Sequence, residues 1–235
     1  MNYIILNGTK STIVQGLLIQ ELPPISKPQI RSNIETIDGR DGDIITRLGY
    51  SAYDKILTIG LKKDADINDV IAYFVNRDSG EITFSNEPDF YYRFNLLEAI
   101  NFERLIRFKQ ANVNFHVQPF KYSLSESDTE YPVKNNSELH INNNGNIFSK
   151  PSFTLTGSNT CGVYLNGSQI FSITLNPNES ITIDTEIMEA FYGSILKNRK
   201  VIGDYTKFYM PIGDNVIKLT GSVTKFTIKN YSRWI

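Results

Sequence analysis

The chain has 235 residues, a net charge of −1 and a single cysteine, Cys161. The near-neutral charge gives no general electrostatic case for binding nucleic acid or an anionic membrane, and one cysteine excludes an internal disulfide framework. No stretch approaches the roughly 20 apolar residues of a membrane span, and the N-terminal residues lack the basic start of a signal peptide. The length predicts one or two domains, and the aromatic content of 12% suits a β-rich protein.

Short strands and turns are predicted at the start of the chain. Residues 3–6 are predicted as a strand that ends at Asn7-Gly8, a strong turn pair. Residues 13–22 are predicted as a second strand, because the apolar run stops at Pro23-Pro24 and proline removes a backbone donor.

The most informative stretch is residues 37–61, where an acidic, glycine-rich turn precedes two strand-like segments. Gly39 and Gly42 permit backbone angles that other residues avoid. Three aspartates in this turn are candidate calcium ligands, namely Asp38, Asp41 and Asp43. Their spacing does not match the alternating ligand positions of an EF-hand loop, so we interpret the stretch as an ordered turn.

One helix is predicted, and it follows this stretch. Its apolar residues recur at helical spacing, namely Ile67, Val70, Ile71, Phe74 and Val75. Asp66 is a suitable N-cap, and Gly80 ends the helix. Further on, alternating side chains predict a long strand over residues 104–118.

The polar residues 121–136 predict a domain boundary, which we place after residue 130. The predicted domains are therefore residues 1–130 and 131–235. The second half contains many short strands separated by turns, of which Asn166-Gly167 is the strongest hairpin signal. Strands at this spacing predict a β-sandwich, and the chain as a whole is predicted to be mainly β.

No constellation of catalytic or cofactor-binding residues is predicted. His116 and His140, the only histidines, are interpreted as surface residues, and Cys161 as a small buried residue. Asp184 and Glu186 are candidates for a glycosidase pair, but their expected separation fits neither glycosidase geometry well. No phosphate-binding loop, metal cluster or dinucleotide fingerprint is present. The sequence therefore favours a structural or binding protein without a cofactor.

Three patterns, in this order, carry a resemblance that spans nearly the whole chain. The first is IDGRDGDIITRLGYSAYDKILTIGLKK at residues 37–63, and the second is VNFHVQPFKY at residues 113–122. The third runs through the second half and comprises residues 143–158, 163–175, 179–186 and 210–221. With these patterns the chain resembles the distal tail protein (Dit) family of siphophages that infect Gram-positive bacteria.

The resemblance implies a structural protein of the virion, at the tip of the phage tail, that is assembled in the host cytoplasm. It implies an N-terminal β-rich belt domain with one short helix and an extended hairpin, followed by a galectin-like β-sandwich. Six copies would form a ring between the tail tube protein and the tail-associated protein. The sandwich would hold receptor-binding or upper baseplate proteins, DNA would pass through the ring, and no catalysis or membrane contact is implied.

Ring-interface residues and one other function remain open. Arg47, Tyr50 and Tyr53 are the candidate interface residues, although ordinary strand packing also explains the two tyrosines. The other function is a carbohydrate-binding adhesion module, whose candidate aromatic residues are Tyr192, Tyr205 and Tyr209. No galectin-type sugar site is implied, because the second half has one histidine and its only tryptophan is Trp234.

Overall fold

The structure, a computed structural model, describes residues 1–133 and 138–235. The chain divides into two compact units, Met1–Leu124 together with Ile235, and Ser125–Trp234. The first unit holds the turn-rich stretch that dominates the sequence, and the second holds the short strands of the C-terminal half.

The units meet six residues before the cut that we predicted after residue 130. The reason is the strand Thr129–Tyr131, which pairs with the long strand Gly213–Lys229 and so belongs to the second unit. Residues 134–136 of the predicted boundary stretch lie outside the described residues.

The first unit contains nine strands. They are β1 (Ile4–Leu6), β2 (Thr9–Lys10), β3 (Leu17–Glu21), β4 (Ile30–Thr36), β5 (Asp43–Tyr50), β6 (Tyr53–Leu61), β7 (Ser79–Phe84), β8 (Phe90–Asn95) and β9 (Gln110–Ser123). Seven of them pair antiparallel in the order β2-β1-β7-β8-β9-β6-β3, while β4 and β5 form a separate two-stranded sheet. The predicted turn at Asn7-Gly8 is confirmed, since both residues have positive φ angles and join β1 to β2.

Two helices are present in this unit, where we predicted one. Helix α1 (Ile67–Val75) is confirmed, and the Asp66 side chain caps it by accepting a 2.8 Å hydrogen bond from the Asn68 amide. Its predicted end was wrong, because the helix ends at its C-cap Asn76 and Gly80 lies in β7. Helix α2 (Phe102–Phe108) corrects our prediction of a strand over residues 104–118. Asn101 caps α2 through the Arg104 amide, and Lys109 ends it with a φ of 57°, so β9 begins only at Gln110.

The core of the first unit is aromatic where β7, β8 and β9 meet. The Phe115 ring lies 6.2 Å from the Phe84 ring and 5.3 Å from the Phe94 ring, in edge-to-face contacts. All three side chains are buried, and α1 adds the buried ring of Phe74 to the same cluster. Burial of such rings is the main stabilisation of the sheet from which β4 and β5 extend.

Nine strands also lie in the described residues of the second unit, 125–133 and 138–234. They are β10 (Thr129–Tyr131), β11 (Glu138–Asn143), β12 (Ser152–Leu165), β13 (Ser168–Asp184), β14 (Glu189–Tyr192), β15 (Ile195–Leu196), β16 (Val201–Gly203), β17 (Gly213–Lys229) and β18 (Arg233–Trp234). The predicted hairpin at Asn166-Gly167 is confirmed, because these residues have φ angles of 48° and 85° and join β12 to β13.

Three long strands pass through irregularities and contribute to two layers. In the first layer, residues 152–157 of β12 pair with residues 179–184 of β13 and with the end of β17. In the second layer, residues 159–165 pair with residues 168–175 and with the start of β17. The register shifts near Gly157 separate the two layers. Strands β10, β14 and β15 extend the first layer, and β11 and β16 extend the second.

Phenylalanine rings from both layers form the core between them, which confirms the predicted sandwich. Phe153 of the first layer and Phe171 of the second have ring centroids 6.2 Å apart. Phe208 packs against both, at 5.1 and 5.5 Å, and all three side chains are buried. Alternate residues of each strand therefore point into the core, and the intervening residues face outward.

An ion-pair cluster fixes the bend of β13 between the layers. At the bend, the Glu179 carboxylate accepts hydrogen bonds from the Lys197 ammonium at 2.7 Å, from the Lys200 ammonium, and from the Asn176 amide at 2.8 Å. These donors, the Lys197 ammonium first, lower the pKa of Glu179 to about 2. The charged carboxylate is thus favoured in the folded state.

We expect Glu179 to make the folded protein sensitive to acid. Because folding lowers the pKa of Glu179, its contribution to stability is complete above about pH 4.3 and is lost as the pH falls towards 2. Glu179→Gln should lower the unfolding temperature at pH 7 by roughly 5 °C and have little effect at pH 2. Thermal unfolding followed by circular dichroism from pH 7 to 2 checks this, with the exposed Glu138→Gln as control. An equal deficit at both pH values would contradict the assignment.

Candidate assembly surface and its anchor

Strands β4 and β5 form a hairpin of their own, which we call the arm (residues 30–50). Its register runs from the pair Ile30–Tyr50 at the base to the pair Thr36–Asp43 near the tip. The tip contains Gly39 and Gly42, whose φ angles of 80° and 78° belong to the left-handed region. This confirms the turn predicted in the acidic stretch. Strands of this length make the arm about 23 Å long.

The arm carries exposed apolar side chains. Ile34 and Ile45 lie directly opposite each other and remain 59% and 63% exposed. Leu48 is also exposed, and the register shift beside Arg31 gives it no directly opposed residue on β4. An isolated two-stranded hairpin is only marginally stable in water, and exposed apolar patches mark interaction surfaces. The arm therefore has the composition of a surface that another protein covers.

Charges of both signs surround these apolar residues. The sequence from Ile30 to Tyr50 contains three arginines and four acidic residues, namely Arg31, Arg40, Arg47, Glu35, Asp38, Asp41 and Asp43. Such a mixed surface is complementary to a second copy of itself as well as to other mixed surfaces. The three aspartates that are candidate calcium ligands belong to this mixed-charge surface. No group of three or more potential metal ligands exists among residues 1–133 and 138–235.

A buried lysine holds the segment that leads into the arm. Lys55 of β6 is 2% exposed, and its ammonium donates a 3.2 Å hydrogen bond to the Pro24 carbonyl. Beside it, the side-chain amide of Asn86 donates a hydrogen bond to the Pro23 carbonyl at 3.1 Å. At the base of the arm, the Ser51 amide donates to the Gln29 carbonyl at 2.8 Å. The chain is thus fixed on both sides of the arm.

Glu87 compensates the buried charge of Lys55. The Glu87 carboxylate accepts hydrogen bonds from the Lys121 ammonium at 2.6 Å and from the Tyr92 hydroxyl at 2.7 Å, and it lies 3.9 Å from the Lys55 ammonium. We call these four residues the anchor cluster. Burial lowers the pKa of Lys55 and raises the pKa of Tyr92, while the negative charge of Glu87 opposes the shift of Lys55.

The three predicted interface residues have different environments. Arg47 is exposed on the arm, opposite Ser32. Tyr50 makes an edge-to-face contact with Phe120 of its own chain, with ring centroids 5.5 Å apart. Tyr53 packs against the core of the first unit, and burial raises the pKa of its hydroxyl. Contacts within the chain thus cover much of the surface of both tyrosine side chains.

Sequence reasoning missed the exposed isoleucines and the anchor cluster. One signal for the isoleucines was present, because Ile44 and Ile45 are adjacent and so place apolar side chains on both faces of a strand. Nothing local marks the anchor cluster, whose members come from β6, β8, β9 and a loop.

The candidate catalytic residues have structural partners. His116 and His140 each pair with an aspartate, Asp54 at 2.8 Å and Asp214 at 2.7 Å. The hydrogen bond that His140 makes to the Asp214 carboxylate raises the pKa of this exposed histidine. Neither histidine is placed beside a nucleophile by these contacts.

Asp184 of the candidate carboxylate pair and Cys161 also have structural roles. Asp184 accepts hydrogen bonds from the amides of Glu186 and Ile187 at 2.9 and 3.2 Å, so it stabilises a turn. Cys161 is buried, which raises the pKa of its thiol.

The three tyrosines proposed for sugar binding do not come together. Tyr192 is exposed, Tyr205 packs on Phe171 with ring centroids 5.1 Å apart, and Tyr209 contacts Phe148 at 5.6 Å. Among the residues that the structure covers, no helix is both long and apolar enough to cross a membrane.

No protein-family model matches this sequence. No curated protein matches it either. Solved structures do match over nearly the whole chain. One of them is the Dit protein of SPP1, which is described as a paradigm of the hub adsorption apparatus in phages that infect Gram-positive bacteria. It superposes with a TM-score of 0.69 at 18% identity, and the match covers 97% of this chain and 98% of that protein.

A chain of the phage P2 baseplate, in its activated conformation with Ca, matches with a TM-score of 0.53 at 13% identity and 98% coverage of both chains. A chain of this baseplate in its activated conformation with Sr matches with a TM-score of 0.52 at 14% identity and 97% coverage of both chains. This chain therefore has the fold of phage hub and baseplate proteins. The resemblance to the Dit family that the sequence indicates is confirmed at the level of the fold.

We expect Glu87→Ala to destabilise the first unit and loosen the arm. Removal of this carboxylate leaves the Lys55 ammonium buried without a counter-charge, which costs about 3–5 kcal/mol in comparable cases. Urea unfolding followed by circular dichroism measures the loss. Limited trypsin digestion should also cut faster at the arm arginines.

Glu130→Ala is the matched control, because Glu130 pairs with Lys225 at 2.7 Å on the exposed surface. Its cost should not exceed about 1 kcal/mol. Similar stabilities for the two variants would show that the anchor cluster does not hold the arm.

Proposed function

We propose that this protein is a structural hub of a phage tail tip, in which six copies form a ring. The observation that carries the proposal is the arm, a separate hairpin with exposed apolar side chains on a fold shared with phage hub and baseplate proteins. The chain acts without catalysis, as part of the virion.

In the ring, the arm of each copy packs against the next copy. Contacts of this heterologous kind close into a ring when the rotation between copies divides a full turn. Ile34 and Ile45 form the apolar centre of the contact, and Arg47 lies at its polar rim. Tyr50 and Tyr53 support the base of the arm and contribute their exposed portions to the contact.

The two ends of the ring contact the tail tube protein and the tail-associated protein. The second unit, a galectin-like sandwich in this proposal, holds receptor-binding or upper baseplate proteins. DNA passes through the centre, and the net charge of −1 suits a channel that should not retain it.

The double variant Ile34→Lys, Ile45→Lys tests the ring. Both side chains are exposed in a single copy, so the substitution should leave the unfolding temperature nearly unchanged. Loss of the apolar contact and addition of like charges should weaken association on the order of 100-fold or more. Sedimentation velocity and negative-stain images, with and without the tail tube protein, measure this.

Ile202→Lys is the matched control, because Ile202 is an isoleucine of β16, outside the arm, that is at least as exposed as Ile34 and Ile45. It should assemble like the unsubstituted protein. Rings that persist in the arm variant would refute the role of the arm, and a chain that stays monomeric even with the tail tube protein would refute the ring.

A further inference from the structure

A concave groove with a volume of about 480 Å³ lies on the outer face of the first layer of the sandwich. Its floor is lined by hydroxyl-bearing side chains of three adjacent strands, namely Ser152, Thr154, Thr156, Ser180, Thr182 and Thr227. These residues alternate along β12, β13 and β17 with core residues such as Phe153 and Ile181. The packed core therefore holds the floor rigid.

The hydroxyls of the floor are arranged in pairs across the strands. Thr154 and Thr182 have their hydroxyl oxygens 2.8 Å apart, and so do Thr156 and Ser180. A hydroxyl has one donor and two acceptor positions, so each pair keeps one donor and several acceptors for a ligand. A ligand that is itself rich in hydroxyls, each both donor and acceptor, matches this surface.

Two tyrosines flank the floor. On one side of the floor lies Tyr192, at the end of β14, whose ring is exposed. On the other side, Tyr231 follows β17 with a φ of 52°. This left-handed conformation is uncommon for a bulky residue, and such strain is concentrated at functional positions. Aromatic rings with a polar tip bind the apolar faces of amphipathic ligands.

The charge of the groove is balanced. Asp128 and Lys225 are the charged residues in its lining, and the Lys225 ammonium pairs with Glu130 at 2.7 Å. The ammoniums of Lys197 and Lys229 lie over the rings of Tyr192 and Tyr231, and Lys197 is itself paired with Glu179. This balance disfavours an anionic polymer such as a phosphate-linked glycan. A peptide is disfavoured as well, because the backbone of the floor is paired on both sides within the sheet.

We propose that this groove binds a neutral oligosaccharide. The hydroxyl pairs exchange hydrogen bonds with the sugar hydroxyls, and Tyr192 and Tyr231 contact the apolar faces of the sugar rings. The groove crosses from β17 to β14, a width of about 14 Å, which accommodates a short oligosaccharide. This activity would let the sandwich contact a cell-surface polysaccharide and is independent of ring formation.

The test uses the full chain on a printed array that carries neutral oligosaccharides and poly(glycerol phosphate). Titration calorimetry then gives the affinity for each neutral oligosaccharide that is bound. The double variant Thr154→Val, Thr182→Val removes two hydroxyls and keeps the side-chain shape, so it should weaken binding about ten-fold. Tyr192→Ala should weaken it by a similar factor.

Two control variants keep the proposal falsifiable. Thr174→Val changes an exposed threonine of β13 outside the groove, and Tyr209→Ala removes an exposed ring elsewhere on the sandwich. Both should bind as the unsubstituted protein does. Binding of poly(glycerol phosphate) alone, no binding of neutral sugars at millimolar concentration, or neutral binding that the groove variants leave unchanged would each overturn the proposal. Circular dichroism establishes that every variant is folded.

Discussion

The burial of one carboxylate between two lysines is the constraint on which the first unit depends. Glu87 accepts from Lys121 and Tyr92 and compensates Lys55, which in turn holds the Pro24 carbonyl. A buried ion cluster of this kind is costly, and an apolar replacement of equal volume would often be at least as stable. The anchor cluster fixes the position of the segment before the arm, because it links that segment to strands β6 and β9. An arm that has no core of its own must take its direction from its base.

The second unit shows how one set of strands serves two surfaces. Strands β12, β13 and β17 bend near Gly157, and each supplies residues to both layers of the sandwich. Inward residues form the phenylalanine core, and the outward residues of the first layer form the hydroxyl floor of the groove. The Glu179 cluster holds the bend that separates the layers. The shape of the groove is therefore a consequence of core packing, and the hydroxyls can vary in chemistry without disturbing the fold.

Local patterns predicted much of the fold. Asn7-Gly8 and Asn166-Gly167 form the predicted turns because both need positive φ angles, and α1 follows its apolar spacing. The strand predicted over residues 104–118 was wrong at its start because Asn101 caps a short helix of which only Leu105 is buried. A helix with so little buried surface leaves a weak apolar period. The three predicted interface residues also differ from one another. Arg47 is exposed on the arm, whereas Tyr50 and Tyr53 largely pack within the chain.

By itself, the sequence determined the β-rich class, the main turns, helix α1 and a chain without a recognisable catalytic constellation. These features depend on spacings of a few residues, and such spacings can be read directly. The tertiary structure alone decided that Ile34 and Ile45 face solvent, that Lys55, Glu87 and Lys121 meet, and that distant serines and threonines share one floor. An apolar residue on a strand has the same local pattern whether its partner is its own core or another protein. Which strands pair, and in which register, is set by contacts between residues far apart in the chain.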